Sequence, residues 1–488
     1  MSRQSMLKNE YRGAQLGDRR LSRRLEQMGA RVSQEPGRSL PDLMNTTAEL
    51  AGAYRFLNHD KVTSNSVLAP HRDASLRRAS LMEEVLVIHD RTTLTFKGST
   101  RTELEDTSNG ETQSCFAQLS LLVDAARSQP LGVTRLSHFL NPPRTPSETS
   151  NKEERQKESR LRRRARPKKE RLSREWWRGV EETQALFPLT SHVTHVIDCD
   201  ADDYALFADM DEAQCRFIIR GNHDRSIRQD GQRRILSDVL IEAPAIAGRQ
   251  IELSSRPAQR RPDGARKHPP RPARSALVEI GVERITLPRT KSCDSRWPRR
   301  LKLNVVFVRE PNPPEGMEPV SWKLWTNLSV ETPEQVVRCV DWYCLRWLIE
   351  EYFRVWKSVC RVEKRELESR DALMNLAALL APAAWHLMLL RNWERTEPTK
   401  PAQEVWPPLL LQTLERFAER YPLPPNPTVQ QTMFSLAGLG GHLKHNGAPG
   451  LLVLSRGYHK LLRLADGFAA GLQAAKAGAT AHHDVSNR

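Results

Sequence analysis

Two aspartates end apolar, strand-like runs in the first half of the chain. Asp90 closes the run VLVIHD, and Asp198 closes the run HVTHVID. Functional groups gather at the carboxyl ends of strands in α/β sheets, although an aspartate at such a position often only begins a turn. For either residue alone the turn is the simpler interpretation. The pair is of interest because hard divalent cations prefer oxygen ligands.

A third carboxylate belongs to a polar stripe farther along the chain. Tyr343, Arg346, Glu350 and Lys357 are separated by intervals of 3, 4 and 7 residues. In a continuous helix this spacing places all four within a stripe of about 60°. Most charged stripes are solvated, but aromatic and aliphatic residues flank this one around nearly the whole circumference. We therefore predict a largely buried helix whose polar stripe needs partners.

Asp90, Asp198 and Glu350 together indicate two-metal chemistry on phosphodiesters. Three carboxylates can hold two cations about 3.5–4 Å apart. One ion would activate water or a 3′-hydroxyl and the other would stabilise the leaving oxygen, while Arg346 and Lys357 would bind phosphate. The phosphate-binding loop G-x-x-x-x-G-K-[ST] is absent from the sequence, so no nucleotide cofactor is expected.

The charge of the chain favours a polyanionic partner. The formal net charge is +16, and the sequence pI is about 9.8. Residues 151–178 carry 13 Lys and Arg against 5 Asp and Glu, and residues 255–300 carry 13 against 4. Charge runs are usually solvated loops, but two separate runs beside patterned segments favour contact with a phosphate backbone. A nucleic acid such as double-stranded DNA is the first expected partner, and an acidic membrane surface is the second.

The remaining composition bears on the compartment. The amino terminus has no apolar run of signal-peptide type. The longest apolar run, Leu376 to Leu390, contains Pro382 and is too short to span a bilayer, so no membrane partner is expected. Seven cysteines without a C-x-x-C pair favour a reducing compartment. We predict a cytoplasmic, nucleoid-associated protein.

Periodicity predicts a mixed α/β core between helical ends. The clearest helix is capped by Thr332, with Pro333 at its first position and Gln335 completing a capping box. It is predicted to continue through about Lys357. Other helices are predicted over 16–32, 46–57 and 458–475, and strands over 85–90, 116–124, 192–198, 217–220, 303–308 and 322–328.

These residues resemble the bacterial cut-and-paste DDE transposases of the transposon-five, insertion-sequence-four kind. Asp90 lies in HDRTTLTF and Asp198 in VIDCDADDYALF, which are similar to the blocks around the first two acids of that family. The most specific match is YCLRWLIEEYFRVWK, which carries the family's Y-R-E-K signature at full spacing. Shorter matches, in order along the chain, are LGDRRLSRRL, GAYRFL, RPAR, RITL and NPPEG.

The resemblance implies a fold and a chemistry. The fold would be a ribonuclease-H-like catalytic core over 71–394 with a β-rich insertion at about 215–330. A helical DNA-binding domain over 1–70 and a helical domain over 395–488, suited to dimerisation, would flank it. Asp90, Asp198 and Glu350 would bind Mg2+, with Mn2+ able to substitute. A homodimer would bind transposon ends and target DNA, cut through a hairpin intermediate and join the freed 3′-hydroxyl.

The resemblance also assigns residues that contact DNA. Trp322 would stack on a base flipped out near the cut, although without the resemblance it would be interpreted as an ordinary strand tryptophan. Tyr343, Arg346 and Lys357 would contact phosphate near the cut, and Arg220 is a weaker match to a DNA-contacting arginine. The chain departs from the family at Arg91, which places a cation directly after Asp90.

Two alternatives stay open. Gly221 to Asp224 read GNHD, a box of two-metal phosphoesterases, but the upstream Asp-x-His of such enzymes is missing and the second histidine motif, near His442, is too distant. The more serious alternative is a catalytically silent DNA-binding protein or inhibitor descended from a transposase. The complete set of three acids favours an enzyme.

Overall fold

The structure is a computed structural model of the 488-residue chain. It describes residues 10–101, 103–106, 111–140, 172–188, 192–253, 255, 259–260, 266–268, 270–290, 293–443, 445 and 447–485. The chain divides into two compact units. Unit 1 consists of Met1–Glu83, Arg91–Arg144 and Leu348–Arg488, and unit 2 consists of Glu84–Asp90 and Thr145–Trp347. The basic run predicted at 151–178 lies mostly outside the described residues.

Unit 2 is built on a mixed sheet. Its strands are β1 (Val85–Lys97, of which the first half belongs to this unit), β5 (Val193–Ile197), β6 (Arg216–Arg220), β7 (Ser226–Gln229), β8 (Gln232–Ile235), β9 (Ala247–Leu253), β12 (Arg274–Pro288), β13 (Arg300–Arg309) and β14 (Ser321–Thr326), with the small pair β10 (Gln259–Arg260) and β11 (Arg266–His268). Strands β1, β5 and β6 are parallel neighbours, whereas β6, β14, β13 and β12 follow in antiparallel order. The parallel part meets the antiparallel part at β6.

Helices cover the sheet of unit 2 and form its core. They are α5 (Leu172–Gln184), α6 (Tyr204–Glu212), α7 (Leu236–Glu242) and α8 (Pro333–Cys344). One apolar cluster joins Trp176 of α5 and Phe207 of α6 to Phe217, Leu303 and Trp325 of the sheet. Strands with alternating burial, such as β13, place one row of side chains in this core and the other row on the opposite face.

Unit 1 is mostly helical, with a β-hairpin. Its elements are α1 (Arg19–Gln34), α2 (Leu40–Leu43), α3 (Thr47–Leu57), α4 (Ser64–Ala79), the second half of β1, β2 (Glu105–Asp106), β3 (Thr112–Asp124), β4 (Gln129–Phe139), α9 (Trp347–Arg354, from Leu348), α10 (Arg370–Thr396), α11 (Ala402–Val405), α12 (Pro408–Phe417), α13 (Val429–Leu439) and α14 (Leu451–Val485). Strands β3 and β4 pair antiparallel, and α4 and α10 pack against β4. The predicted α/β class, with helical segments on both sides of a β-rich insertion, is confirmed.

The apolar run at 376–390 lies inside the longer helix α10. It is 27 residues long and holds Pro382 in its interior. By length and composition it could cross a membrane, but every residue of its most apolar window is buried inside the protein. A central core helix meets the same criteria, and burial on all sides explains why it is hydrophobic around its whole circumference.

The prediction of one continuous helix from Thr332 to about Lys357 is wrong. Its capping box at Thr332 and Gln335 is present, but α8 ends at Cys344. Leu345 closes the last turn, and the Arg346 amide donates to the Tyr343 carbonyl. Helix α9 then begins at Trp347 and continues into a π-helical turn, Val355–Val359. The 100° periodicity therefore does not extend across the break.

Packing explains the interruption better than local sequence does. Trp342 and Tyr343 are buried at the end of α8, and Leu348 and Ile349 are buried at the start of α9. No glycine or proline marks the break, which falls at the boundary between the two units. Trp347 is 47% exposed, although the helix that contains it was predicted to be largely buried.

Candidate active site

Parallel pairing of β1 and β5 brings two of the predicted acids together. His89 pairs with Ile197 across the two strands, so the residues that follow, Asp90 and Asp198, lie side by side where β5 ends. The strand predicted over 85–90 is longer than expected, because β1 continues past Asp90 to Lys97. The Asp90 side chain is 12% exposed and that of Asp198 is 28% exposed. This is the position at which α/β sheets present functional groups.

One arginine connects the two carboxylates. The Arg346 Nη1 atom lies 3.0 Å from Asp90 Oδ2 and 4.0 Å from Asp198 Oδ2. The break after α8 places Arg346 here, because this residue belongs to the connecting turn rather than to either helix. The Arg346 guanidinium therefore faces two negative groups in a partly buried site, and Arg220 adds a second positive charge near Asp198. The geometry brings Arg346 to the acids predicted from sequence.

Tyr343 completes this arrangement, which we call the aspartate cluster: Asp90, Asp198, Tyr343 and Arg346. The Tyr343 hydroxyl donates to Asp198 Oδ1 at 3.2 Å. Burial acts to raise the pKa of Asp198, but Arg346, the Cys199 amide and other donors outweigh it, so the pKa is lowered. Burial and the neighbouring Asp198 raise the pKa of Tyr343. Asp198 is thus held as a carboxylate and Tyr343 as a neutral donor.

A buried polar chain lies behind the aspartates and was missed by the sequence analysis. His89 Nε2 and His195 Nδ1 are 2.8 Å apart, and His195 Nε2 lies 2.9 Å from Gln184 Oε1. Because the Gln184 oxygen only accepts, His195 donates from Nε2 and accepts at Nδ1. Burial lowers the pKa of His195 to about 3. This neutral chain ties β1, β5 and α5 together directly before the two acids.

Trp322 lies on the rim of the aspartate cluster. Its ring packs edge-on against Tyr343 at a centroid distance of 5.7 Å, and the Arg220 guanidinium lies 5.8 Å from its ring. Trp325, three residues later on the same strand, is fully buried in the core, whereas Trp322 is partly exposed. Trp325 therefore has the ordinary structural role, and Trp322 presents part of its ring to solvent.

Glu350 and Lys357 belong to unit 1. Glu350 lies on α9 and Lys357 in the π-helical turn that follows. Lys357 Nζ donates to the Thr93 carbonyl and lies 3.3 Å from Glu363 Oε1, which also accepts from the Thr95 amide. Glu363 therefore links this lysine to the extension of β1. No sequence pattern pointed to Glu363.

The donor set fits a hard divalent cation. Within the described part of the chain, no group of three or more His, Cys, Asp or Glu side chains is close enough to hold a metal ion. Mg2+, however, is commonly held by one or two carboxylates together with water and substrate phosphate. Asp90 and Asp198 supply such a pair.

The residues of the alternative GNHD box have structural contacts. The Asn222 and His223 amides donate to Asp202 Oδ2 at 2.7 and 2.8 Å, and Arg225 pairs with the same carboxylate. Asp224 accepts from the Ser237 amide and hydroxyl at the start of α7. The box thus shapes the loop after β6.

Two family models match the sequence. A Transposase DNA-binding model matches residues 3–62, and a Transposase DDE domain model matches residues 149–385. The second match contains Asp198 and Glu350, and also Trp322, Tyr343, Arg346 and Lys357. Asp90 lies between the two matched ranges, and its place beside Asp198 rests on the pairing of β1 with β5.

Proposed function

The chain is a DDE transposase, a metal-dependent enzyme that cleaves DNA and joins it to new sites, and we propose that it excises a mobile element at terminal inverted repeats. The DDE domain implies the ribonuclease-H-like core that was predicted from the sequence. In the proposed reaction, 3′ nicking is followed by hairpin formation, hairpin resolution and strand transfer by the freed 3′-hydroxyl. Mg2+ is the proposed metal.

The observation that carries the proposal is the pairing of Asp90 with Asp198 around Arg346. We assign Asp90, Asp198 and Glu350 as the catalytic and metal-binding carboxylates. When bound, the metal would supply the charge that activates a water or hydroxyl nucleophile and stabilises the leaving oxygen. Every other contribution comes from the side chains around it.

The remaining residues of the site would hold DNA. Arg346 carries a planar donor set suited to bidentate phosphate contact. Because it pairs with Asp90, binding a phosphate instead would require another cation to compensate the negative charge of Asp90. Lys357 would meet a second phosphate. Tyr343 keeps its proton, so it would donate to a phosphate or to Asp198 throughout the reaction.

The test of the proposal is Glu350→Gln in a nicking assay with a terminal-repeat duplex and Mg2+. The substitution keeps the size of the side chain and removes its charge, so DNA binding is expected to persist while 3′ nicking is abolished. Glu366→Gln, at an exposed acid on the same segment, is the matched control and should cut normally. Nicking by Glu350→Gln at a near wild-type rate would exclude Glu350 as a metal ligand.

The same assay decides the alternative of a catalytically silent DNA-binding protein. Such a protein would bind the repeats and leave them uncut in the unsubstituted chain. We also propose a homodimer in the synaptic complex, domain boundaries at 70 and 394, and a cytoplasmic, nucleoid-associated location. These proposals follow from the family likeness.

We propose that hairpin formation depends on Trp322. A partly exposed tryptophan beside Arg220 and Tyr343 offers a stacking surface worth about 1–3 kcal/mol for one base. Trp322→Ala is expected to impair hairpin formation more than first-strand nicking, and Trp322→Phe should restore much of the loss. Equal loss of both steps in gel assays would argue against base stacking.

A further inference from the structure

The antiparallel part of the sheet in unit 2 has an exposed face rich in basic residues. Its register places Arg233 of β8 opposite Arg228 of β7, Arg228 opposite Thr286 of β12, and Thr286 opposite Lys302 of β13. Directly paired residues point to the same side of a sheet. Arg233, Arg228 and Lys302 therefore lie in one row that crosses four strands.

Two further cations flank this row. Arg284 lies two residues before Thr286 on β12, and Arg300 lies two residues before Lys302 on β13, so both point to the same side. We call Arg228, Arg233, Arg284, Arg300 and Lys302 the basic face; all five are exposed. Same-side neighbours along a strand are about 7 Å apart, and adjacent strands about 5 Å.

The opposite side of the same strands is apolar and fills the core. Ile227, Ile285, Leu287, Leu301 and Leu303 alternate with the basic residues and are buried. The alternation fixes the register, because a slip by one residue would bury the cations and expose the core side chains. The basic face is therefore a rigid surface held in place by the core beneath it.

The charges of the basic face are not compensated. Arg228 donates to the Gly231 carbonyl and Arg233 to the Ser226 hydroxyl, and within the described residues none of the five cations forms a salt bridge. Arg234, the neighbour of Arg233, points to the other side and pairs with Glu242. Like charges placed directly opposite in a sheet, such as Arg228 and Arg233, are destabilising, so stability does not explain this arrangement.

We propose that the basic face binds the phosphate backbone of target DNA. The surface is one face of four paired strands, and the charged side chains that it presents are arginine and lysine, which suit phosphate oxygens. Contacts from arginine and lysine to phosphate fix the position of a duplex without reading its sequence. Terminal repeats must be distinguished by sequence, whereas a target duplex need not be. Among the DNA partners of the proposed function, on which this inference rests, the target fits this chemistry.

The experiment compares two adjacent arginines on β8. Arg233→Gln removes a cation of the basic face, and Arg234→Gln removes one that is paired on the other side. Binding of a duplex without terminal repeats is measured by fluorescence anisotropy across a range of NaCl concentrations. The slope of log K against log salt should fall in magnitude by about 0.9 for Arg233→Gln and stay unchanged for Arg234→Gln. The double variant Arg228→Gln/Lys302→Gln should lower it by about twice that amount.

Further measurements separate the possible failures. The double variant should nick terminal-repeat DNA normally and lose strand transfer into a target, and Arg228→Lys/Lys302→Arg should keep the wild-type slope. Equal slopes for Arg233→Gln and Arg234→Gln would overturn the proposal, as would an equal loss of terminal-repeat binding, which would assign the face to the transposon end. Because the slope requires no catalysis, a wild-type protein that cuts nothing would refute the proposed function without deciding the role of this face.

Discussion

Unit 1 contains a second cluster of buried charges, and it differs from the aspartate cluster in unit 2. Glu10 accepts from His71 at one oxygen and from Arg78 at the other. Arg78 also donates to the Leu131 carbonyl and lies 4.2 Å from the centre of the Trp385 ring. The Val133 amide donates to His71 Nε2, so His71 is neutral. We call Glu10, His71 and Arg78 the glutamate cluster.

The two clusters balance charge differently. In the glutamate cluster one carboxylate meets one guanidinium, and the Glu10 side chain is only 2% exposed. In the aspartate cluster Arg346 faces two carboxylates, of which Asp198 is 28% exposed, and Arg220 adds a second positive charge near Asp198. The first arrangement is closed, with its charge satisfied by the protein. The second is partly open to solvent, so its carboxylate oxygens can reach a divalent cation.

The charges of the glutamate cluster stabilise the fold, whereas those of the aspartate cluster can bind a ligand. A buried pair whose members satisfy each other contributes to a unique packing, and its loss leaves an uncompensated ion. The carboxylates of the aspartate cluster are also held ionised, as the lowered pKa of Asp198 indicates, but they are more exposed, so solvent screens their contribution to stability. Substitutions that neutralise one carboxylate in each cluster should therefore lower stability by different amounts.

The largest expected effect on stability comes from Glu10→Gln. It leaves the Arg78 charge without a partner, so the free energy of unfolding should fall by about 3–5 kcal/mol. Asp198→Asn should lower stability by less, because Asp198 is partly exposed and solvent screens its charge, while abolishing nicking. Urea unfolding at pH 7 measures both, and a stable Glu10→Gln protein would contradict the closed character of the glutamate cluster.

The pH dependence of the same cluster follows from the pKa of Glu10. Burial acts to raise it, but His71 and Arg78 outweigh burial and lower the pKa to about 2 from an ordinary 4.5. Its stabilising contribution is therefore complete above about pH 4.5 and is lost as the pH falls toward 2. Glu10→Gln should lose less stability than the wild type between pH 5 and 2, and parallel acid unfolding curves would argue against the assignment.

The sequence predicted that Asp90 and Asp198 lie together but did not predict the glutamate cluster. Both aspartates close apolar, strand-like runs, so the geometry of a parallel sheet brings them together, although β1 continues past Asp90. Glu10 and Arg78 are separated by 68 positions, and no local pattern connects a residue before the first helix with the end of α4. Pairs of this kind depend on tertiary packing and leave no periodic signal.

The break between α8 and α9 also depends on tertiary packing, which the sequence pattern does not show. The spacing of Tyr343, Arg346, Glu350 and Lys357 was read as one helical stripe, but tertiary packing ends α8 at Cys344 and starts α9 at Trp347. Cap residues predicted the start of α8 correctly because a cap is local. Its end is set by which side chains are buried on either side, and sequence spacing does not contain that information.

A smaller effect is expected from Arg346→Gln, which tests the open character of the aspartate cluster. Removing the guanidinium takes away a positive charge beside Asp90 and Asp198, so Mn2+ should bind more tightly without DNA, by about tenfold. Arg338→Gln, at an exposed arginine of α8, is the control and should leave the affinity unchanged. Electron paramagnetic resonance of free Mn2+ measures this without catalysis. An unchanged or lower affinity would show that Arg346 does not compete with metal.

The smallest expected effect comes from Tyr343→Phe, which removes a single hydrogen bond to Asp198. This hydrogen bond is one of several interactions that lower the pKa of Asp198. Since the reaction requires the carboxylate, the acid limb of the pH profile for nicking should move to higher pH. Tyr204→Phe, which loses a bond to the Pro298 carbonyl, is the matched control. It should lower stability without moving the profile, because no carboxylate of the aspartate cluster loses a donor.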